Sequence, residues 1–374
     1  MEFKRALTRE INIGGLMVGG NNKIAVQSMT NTDTANSEQT IAQIRALADA
    51  GCDIVRVAVY NKACLPALKA IKADSPVPIV ADVHFDYKLA LGAIENGADK
   101  LRINPGNINN PEHIKMVADC ARAHKIPIRV GANSGSLEKE LLDKYGVNAQ
   151  SICLSVEKNV RILEKLGFTD MVLSAKCSDV RMMTESYELL SERFSYPLHL
   201  GVTEAGTCEM GTVKSAVGIG SLLLKGIGDT IRVSLTGNPL KEVPAARNIL
   251  ISLGLLKEGV QIISCPTCGR TRVNVEGMAN EVMERTKDIK TPITVAVMGC
   301  VVNGPGEARE ADIGIAGGDG RGAVFKRGKL LCTAEQDKLV DILVEEIHKL
   351  QSEKLWCFNI LEPFCALLIF GRTF

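Results

Sequence analysis

Two cysteines three residues apart, Cys265 and Cys268, stand in the segment Cys-Pro-Thr-Cys-Gly-Arg. On a tight turn both sulfurs face one point. A third thiol, Cys300, ends the apolar run 293–298, which reads as a buried strand. The Gly/Pro loop that follows would bring Glu307 back toward the same point. A turn-borne Cys-x-x-Cys with a distant cysteine suits a metal ion or an iron–sulfur cluster. Other readings stand beside it: structural thiols, a redox pair, or a four-cysteine zinc ribbon that recruits Cys332.

A second set of residues breaks a rule. Strands of a parallel sheet are buried on both faces and read as near-continuous apolar runs. Here Arg56, Arg102, Arg129 and Arg232 each sit between two apolar residues, and Lys176 closes the run Leu-Ser-Ala-Lys. One buried arginine is readily a structural ion pair. Five cations at one mouth would repel one another without an anion, and arginine forks suit phosphate oxygens, so a diphosphate is the simplest ligand. Asp82, His84, Asn104, Asn133, Glu204 and Ser234 occupy matching strand-end positions. His84 and Glu204, with Asp82 beside them, are the candidates for proton handling. The alternatives are a hydrogen-bonded structural histidine and a carboxylate that holds one of the arginines.

The elements that must position these groups follow from periodicity. Apolar strand candidates lie at 24–28, 54–59, 78–83, 100–104, 127–131, 171–174, 198–202 and 230–235. Helical segments alternate with them, among them 38–50, 88–96, 111–124 and 156–166, three of them closed by Gly51, Gly97 and Gly167. Eight strand–helix repeats predict an α/β fold, a (βα)8 TIM barrel over 1–254. A doubly wound open sheet is the runner-up, weakened because no Gly-x-Gly-x-x-Gly follows the first strand. After a linker at 255–259, a smaller α+β domain spans 260–350. It holds the cysteines, a helix at 276–287, short strands at 312–316, 323–326 and 329–332, and a closing helix at 334–350 with Thr333 and Gln336 as a capping box. The tail 351–374 carries the only Trp and has no clear period, so it is expected to stand outside the fold.

The phrases Ser-Cys-Pro-Thr-Cys-Gly-Arg-Thr and Val-Met-Gly-Cys-Val-Val-Asn-Gly-Pro-Gly-Glu-Ala are long and specific. They resemble the IspG/GcpE family, the bacterial (E)-4-hydroxy-3-methylbut-2-enyl diphosphate synthases, and the similarity runs from the first residues to about position 350. The resemblance implies a sulfite-reductase-like iron–sulfur domain in which Cys265, Cys268, Cys300 and Glu307 hold a [4Fe–4S] cluster. It implies substrate contacts from Arg56, Arg102, Asn104, Arg129, Asn133, Lys176, Arg232, Ser234 and Asn303. It also implies reductive ring opening and dehydration of 2-C-methyl-D-erythritol 2,4-cyclodiphosphate, with flavodoxin or ferredoxin as one-electron donor. The last barrel helix, about fourteen residues at ~1.5 Å each, carries the chain roughly 20 Å down from the site. A homodimer in which each cluster domain caps the partner's barrel is the arrangement that this geometry and the resemblance imply.

Composition narrows the classes. With 44 basic and 43 acidic side chains the net charge is +1, which argues against a broad nucleic-acid footprint. Hydrophobic residues make up 46%, enough for a sizeable core. Twelve cysteines without regular spacing fit a reducing cytoplasm better than a disulfide scaffold. The start shows no secretory pattern, and no run approaches the ~20 apolar residues of a membrane span. The rival from another class is a zinc-stabilised barrel that binds a phosphorylated or pterin-like ligand without redox chemistry.

Overall fold

The computed structural model describes residues 5–84, 86–103, 108, 110–300 and 310–369. The chain divides into two compact units between Leu256 and Lys257. In the first, a hairpin of β1 (Ile11–Ile13) and β2 (Leu16–Val18) comes before the barrel. Eight strands then form one parallel sheet: β3 (Ala25–Met29), β4 (Ile54–Ala58), β5 (Ile79–Asp82), β6 (Lys100–Ile103), β7 (Ile128–Asn133), β8 (Met171–Lys176), β9 (His199–Leu200) and β10 (Thr230–Ile231). Their order is β8-β7-β6-β5-β4-β3-β10-β9, and a parallel bridge from Leu173 to Leu198 joins the two ends. The ring is therefore a closed (βα)8 barrel, with all eight expected strands in place.

Outward residues such as Val55, Val57, Ile79, Leu101, Ile128 and Leu173 pack against the helices in one core. The helices are α1 (Ser37–Asp49), α2 (Cys64–Asp74), α3 (Tyr87–Glu95), α4 (Pro111–Ala123), α5 (Lys139–Tyr145), α6 (Ala149–Lys165), α7 (Val180–Arg193), α8 (Cys208–Leu224) and α9 (Glu242–Ser252). The helix expected from 156 begins at Ala149. Asn148 accepts from Ser151 N–H, and Ser151 Oγ accepts from Asn148 N–H, a capping box that fixes the earlier start.

The second unit builds a five-stranded sheet in the order β11 (Val260–Ser264), β12 (Ile293–Met298), β13 (Ile313–Ala316), β14 (Arg321–Lys326) and β15 (Lys329–Glu335). The first three run parallel and the last two antiparallel. α10 (Val275–Arg285) and the closing helix Leu339–Ile369 cover it, with Val282, Val295, Ile313, Leu343 and Ile347 in the core. The closing helix corrects one expectation. Thr333–Glu335 are spent in the ladder with β14, so the helix starts at Leu339 and the Thr333 capping box does not form. The helix continues through Ile369, and Lys354 Nζ donates to Asp312 Oδ2 at 3.0 Å and to Pro292 O at 2.8 Å. No helix among the described residues is long and apolar enough to cross a membrane.

The hairpin was not anticipated, although Gly14-Gly15 between two short alternating runs is a hairpin signal. Both glycines take positive φ, 58° and 97°, as a two-residue turn of this kind requires. The hairpin plugs the N-terminal end of the barrel: Ile11, Ile13 and Val18 pack on the inward residues Ala25, Ile54, Val80 and Val172. Ile13 is fully buried. Ile13→Ala is expected to cost about 2–5 kcal/mol in denaturant unfolding of the barrel. A change within experimental error would mean that the plug is not part of the core.

Candidate functional site

The C-terminal ends of the barrel strands enclose a cavity of about 280 Å³. Asp82, Asn133 and Lys176 are the last residues of β5, β7 and β8, and Arg232 follows β10 directly. Arg56, Arg102 and Arg129 face inward from β4, β6 and β7 and line the same space, with His84 and Ser234 at its rim. Met29 and Thr203 complete the lining and were not anticipated. Glu204 does not join them. It lies exposed on the loop after β9 with φ of 51°. Asn104, Asn303 and Glu307 lie outside the described residues.

The cavity carries an excess of positive charge. Among the described residues five basic side chains line it and Asp82 is the one carboxylate in its lining. Asp82 Oδ1 meets Arg102 Nη1 at 3.1 Å and its Oδ2 meets Arg56 Nε at 3.6 Å. Burial alone would raise the Asp82 carboxyl, but Arg56, then Arg102 and Arg129, outweigh it and hold it below the ordinary value. Arg232 is engaged from outside the lining by Glu242, the first residue of α9, with Nη2–Oε1 and Nε–Oε2 both at 3.4 Å. Glu242 also accepts from Ser28 Oγ at 2.8 Å and from Leu235 N–H at 3.1 Å, so it orients Arg232. It too was missed, because a helix-start glutamate reads as an ordinary capping residue.

Arg129 and Lys176 have no carboxylate partner among the described residues. Arg129 is 2% exposed and donates to Ser174 Oγ at 3.5 Å, while its Nε has no partner. Lys176 fits because Gly201 leaves room: a Cβ there would stand 2.9 Å from its Nζ. Burial, then Arg129, Arg232, Arg56 and Arg102, drive the Lys176 amine well below its ordinary value. Burial, then Arg232, lowers Arg56 to about 10. His84 completes the rim. Arg102 Nη1 donates to its Nδ1 at 3.2 Å. A guanidinium has no lone pair to offer, so Nδ1 accepts and the ring proton sits on Nε2, 3.9 Å from Asp82 Oδ1.

The thiols occupy the corresponding position in the second unit. Cys265 follows β11 and Cys300 lies two residues beyond β12; these strands are parallel, with Ser264 opposite Val297. Both chains therefore leave the same end of the sheet. Gly299 N–H donates to Cys265 Sγ at 3.1 Å, and a Cβ on Gly299 would meet Val275 and Thr271 at 2.7 and 2.8 Å. The exposed Cys268 thiol is lowered chiefly by a backbone hydrogen bond at Arg270, and its N–H donates to Thr271 Oγ1 at 3.2 Å. An amide aimed at one sulfur and a second thiol biased toward thiolate fit a thiolate-held cluster. Among the described residues these thiols do not by themselves close into a three-ligand site. Cys332 sits on β15, opposite Val324, with β13 and β14 between it and β12; this placement disfavours the four-cysteine ribbon.

Known proteins share both halves. Residues 8–247 match the GcpE TIM-barrel domain and residues 261–349 the GcpE protein C-terminal domain. The protein of Caldanaerobacter subterraneus subsp. tengcongensis named 4-hydroxy-3-methylbut-2-en-1-yl diphosphate synthase (flavodoxin) is 58% identical over 351 residues, 94% of this chain and 99% of its own. Proteins of the same name from Clostridium acetobutylicum and Geobacter sulfurreducens are 54% and 52% identical, over 93% and 94% of this chain and 100% and 99% of theirs. A cation-lined barrel matched over residues 8–247 and a thiol-bearing second unit matched over residues 261–349 place this chain in the GcpE family.

Proposed function

We infer that the chain is an oxidoreductase of the non-mevalonate isoprenoid pathway, a 4-hydroxy-3-methylbut-2-en-1-yl diphosphate synthase. It converts 2-C-methyl-D-erythritol 2,4-cyclodiphosphate to (E)-4-hydroxy-3-methylbut-2-enyl diphosphate, with two electrons and two protons taken in and one water lost. The observation that carries this reading is the barrel mouth, where, among the described residues, five basic side chains face one lining carboxylate. Such a site needs a ligand with several anionic oxygens.

The chain's own residues then have separate tasks. Arg129 and Lys176, which lack carboxylate partners, bind diphosphate oxygens, and Arg56, Arg102 and Arg232 complete the grip. Asp82 stays ionised and fixes Arg56 and Arg102, as Glu242 fixes Arg232. Asn133 and Ser234 add neutral hydrogen bonds, and Asn104 and Asn303 belong to the same contact set by family resemblance. His84 holds a proton on Nε2 at the rim. Glu204 is assigned proton delivery to the departing oxygen, which requires its loop to turn inward. Cys265, Cys268, Cys300 and Glu307 would hold a [4Fe–4S] cluster, which supplies single electrons and a Lewis acid. Flavodoxin, with ferredoxin as the alternative, is the donor in this reading, and the cytoplasm is the compartment.

We assign the working form to a homodimer. α9 begins at Glu242 beside Arg232, and its Arg247 reaches Gly51 O at 3.4 Å, at the entrance to β4. The chain thus leaves the barrel at the end away from the cavity. A second unit that must serve a cavity is most simply supplied by the partner.

Three outcomes follow. Arg129→Ala should lower kcat/KM by about 100-fold, roughly 3 kcal/mol at 1.36 kcal/mol per tenfold, with the visible spectrum of the anaerobic protein unchanged. Unchanged kinetics would remove the barrel mouth as the binding site. Anaerobic protein should be brown, and Cys265→Ser, Cys268→Ser or Cys300→Ser should abolish colour and activity while the barrel stays folded by circular dichroism. Retained colour in all three variants would refute the ligand set. Co-expressed Cys265→Ser and Arg129→Ala chains should recover part of the activity, because one mixed dimer pairs an intact barrel with an intact cluster unit. Mixed dimers without recovery would show that each second unit serves its own barrel.

A further inference from the structure

Beneath the cavity the barrel holds a polar layer that the mechanism above does not use. Lys100 opens β6, faces inward and is 0% exposed. Its Nζ makes one hydrogen bond among the described residues, to Gln27 Oε1 at 3.4 Å, the long edge of such a contact. No carboxylate among those residues pairs with it. The groups that face it are Gln27 from β3, Arg56 from β4, Arg129 from β7 and His199 from β9. Asp82, at the end of β5, is engaged by Arg56 and by Arg102, two residues further along β6. Gln27 Nε2, Arg129 Nε and His199 Nε2 are buried without partners. An ammonium at this position would be desolvated and would oppose two guanidiniums with no counter-ion. Burial, then Arg129 and Arg56, push the amine well below its ordinary value.

We propose that Lys100 is an uncharged amine in the empty barrel and takes up a proton when a diphosphate enters the cavity above it. The proposal rests on the function assigned above and deepens it. One proton moves from solvent to Nζ, turning –NH2 into –NH3+, and no electron is involved. The reason is the change in the local field. A dianion held by Arg56 and Arg129 cancels the two charges that oppose Lys100 and adds an attraction. Lys100 is therefore a positioning charge that matches the positive field of the barrel to the charge of its ligand. Of the orphaned atoms in this layer His199 Nε2 can accept from the new ammonium when its ring proton sits on Nδ1, beside Thr230 Oγ1, whereas the Gln27 amide nitrogen only donates.

Two signs follow. Binding that takes up a proton weakens as pH rises. In the empty protein the unfolded chain protonates this lysine below its ordinary value, ~10.4, while the folded chain does not, so Lys100 makes stability rise with pH up to that value. Lys100→Met should remove that slope and raise the melting temperature at neutral pH.

The test is titration calorimetry of the oxidised, cluster-loaded full chain with 2-C-methyl-D-erythritol 2,4-cyclodiphosphate, without reductant. The cyclic diphosphate has only strongly acidic oxygens and does not itself titrate near neutrality. The binding heat is measured at one mildly alkaline pH in buffers of different ionisation enthalpy, which counts the protons taken up. Uptake by the wild type is expected to exceed that of Lys100→Met and Lys100→Gln by about one proton per ligand, any proton taken up by the Lys176 amine, which is lowered in the same way, being common to all three. A wild-type heat independent of buffer overturns the proposal, whether or not the variants fold. Equal uptake in a folded Lys100 variant overturns it too. Absence of binding by the wild type removes the substrate assignment and this proposal with it.

Discussion

Uncompensated positive charge inside the barrel is the constraint on which the rest of this structure depends. Arg56, Arg102, Arg129, Lys176 and Arg232 crowd one cavity, and among the described residues only Asp82 in its lining and Glu242 behind it answer them. Buried cations without partners are costly, and a protein that keeps them has fixed a place for an anion. The two carboxylates do not neutralise the site. They hold three of the guanidiniums still, so that binding need not order long side chains. The apolar hairpin at the opposite end closes the N-terminal mouth with a tight core and leaves the C-terminal mouth as the polar opening.

The two units use parallel strands in the same way. Side chains at the C-terminal ends of parallel strands converge on whatever lies beyond the sheet. In the barrel those residues are cations; in the five-stranded sheet they are the thiols after β11 and β12. The first arrangement suits a multiply charged oxyanion and the second a soft metal cluster. The cation-lined cavity and the thiol-bearing strand ends are thus built on separate folding units, each with its own core.

The sequence made some of this plain and hid the rest, for physical reasons. The arginines were visible because each interrupts an apolar run, where a charge stands out from the hydrophobic pattern. The eight strands were visible for the same reason. Lys100 was hidden because it opens its strand, where a lysine looks like a solvated end; its two-residue offset from Arg102 was the available signal that it also points inward. Glu242 was hidden because its partner Arg232 is set by the closure of the barrel. Glu204 lay in the expected loop, but a strand-end position does not say which way a loop turns its side chain, and this one is exposed. The closing helix began late because the ladder between β14 and β15 claimed the backbone that a local capping motif would have used.

The most direct test of the central claim is a crystal structure of the cluster-loaded chain with 2-C-methyl-D-erythritol 2,4-cyclodiphosphate bound. The predicted result is diphosphate oxygens within hydrogen-bond distance of Arg129 and Lys176, inside the ring of strands, with Asp82 still on Arg56 and Arg102. Diphosphate bound elsewhere, with Arg129 and Lys176 turned onto protein carboxylates, would contradict it.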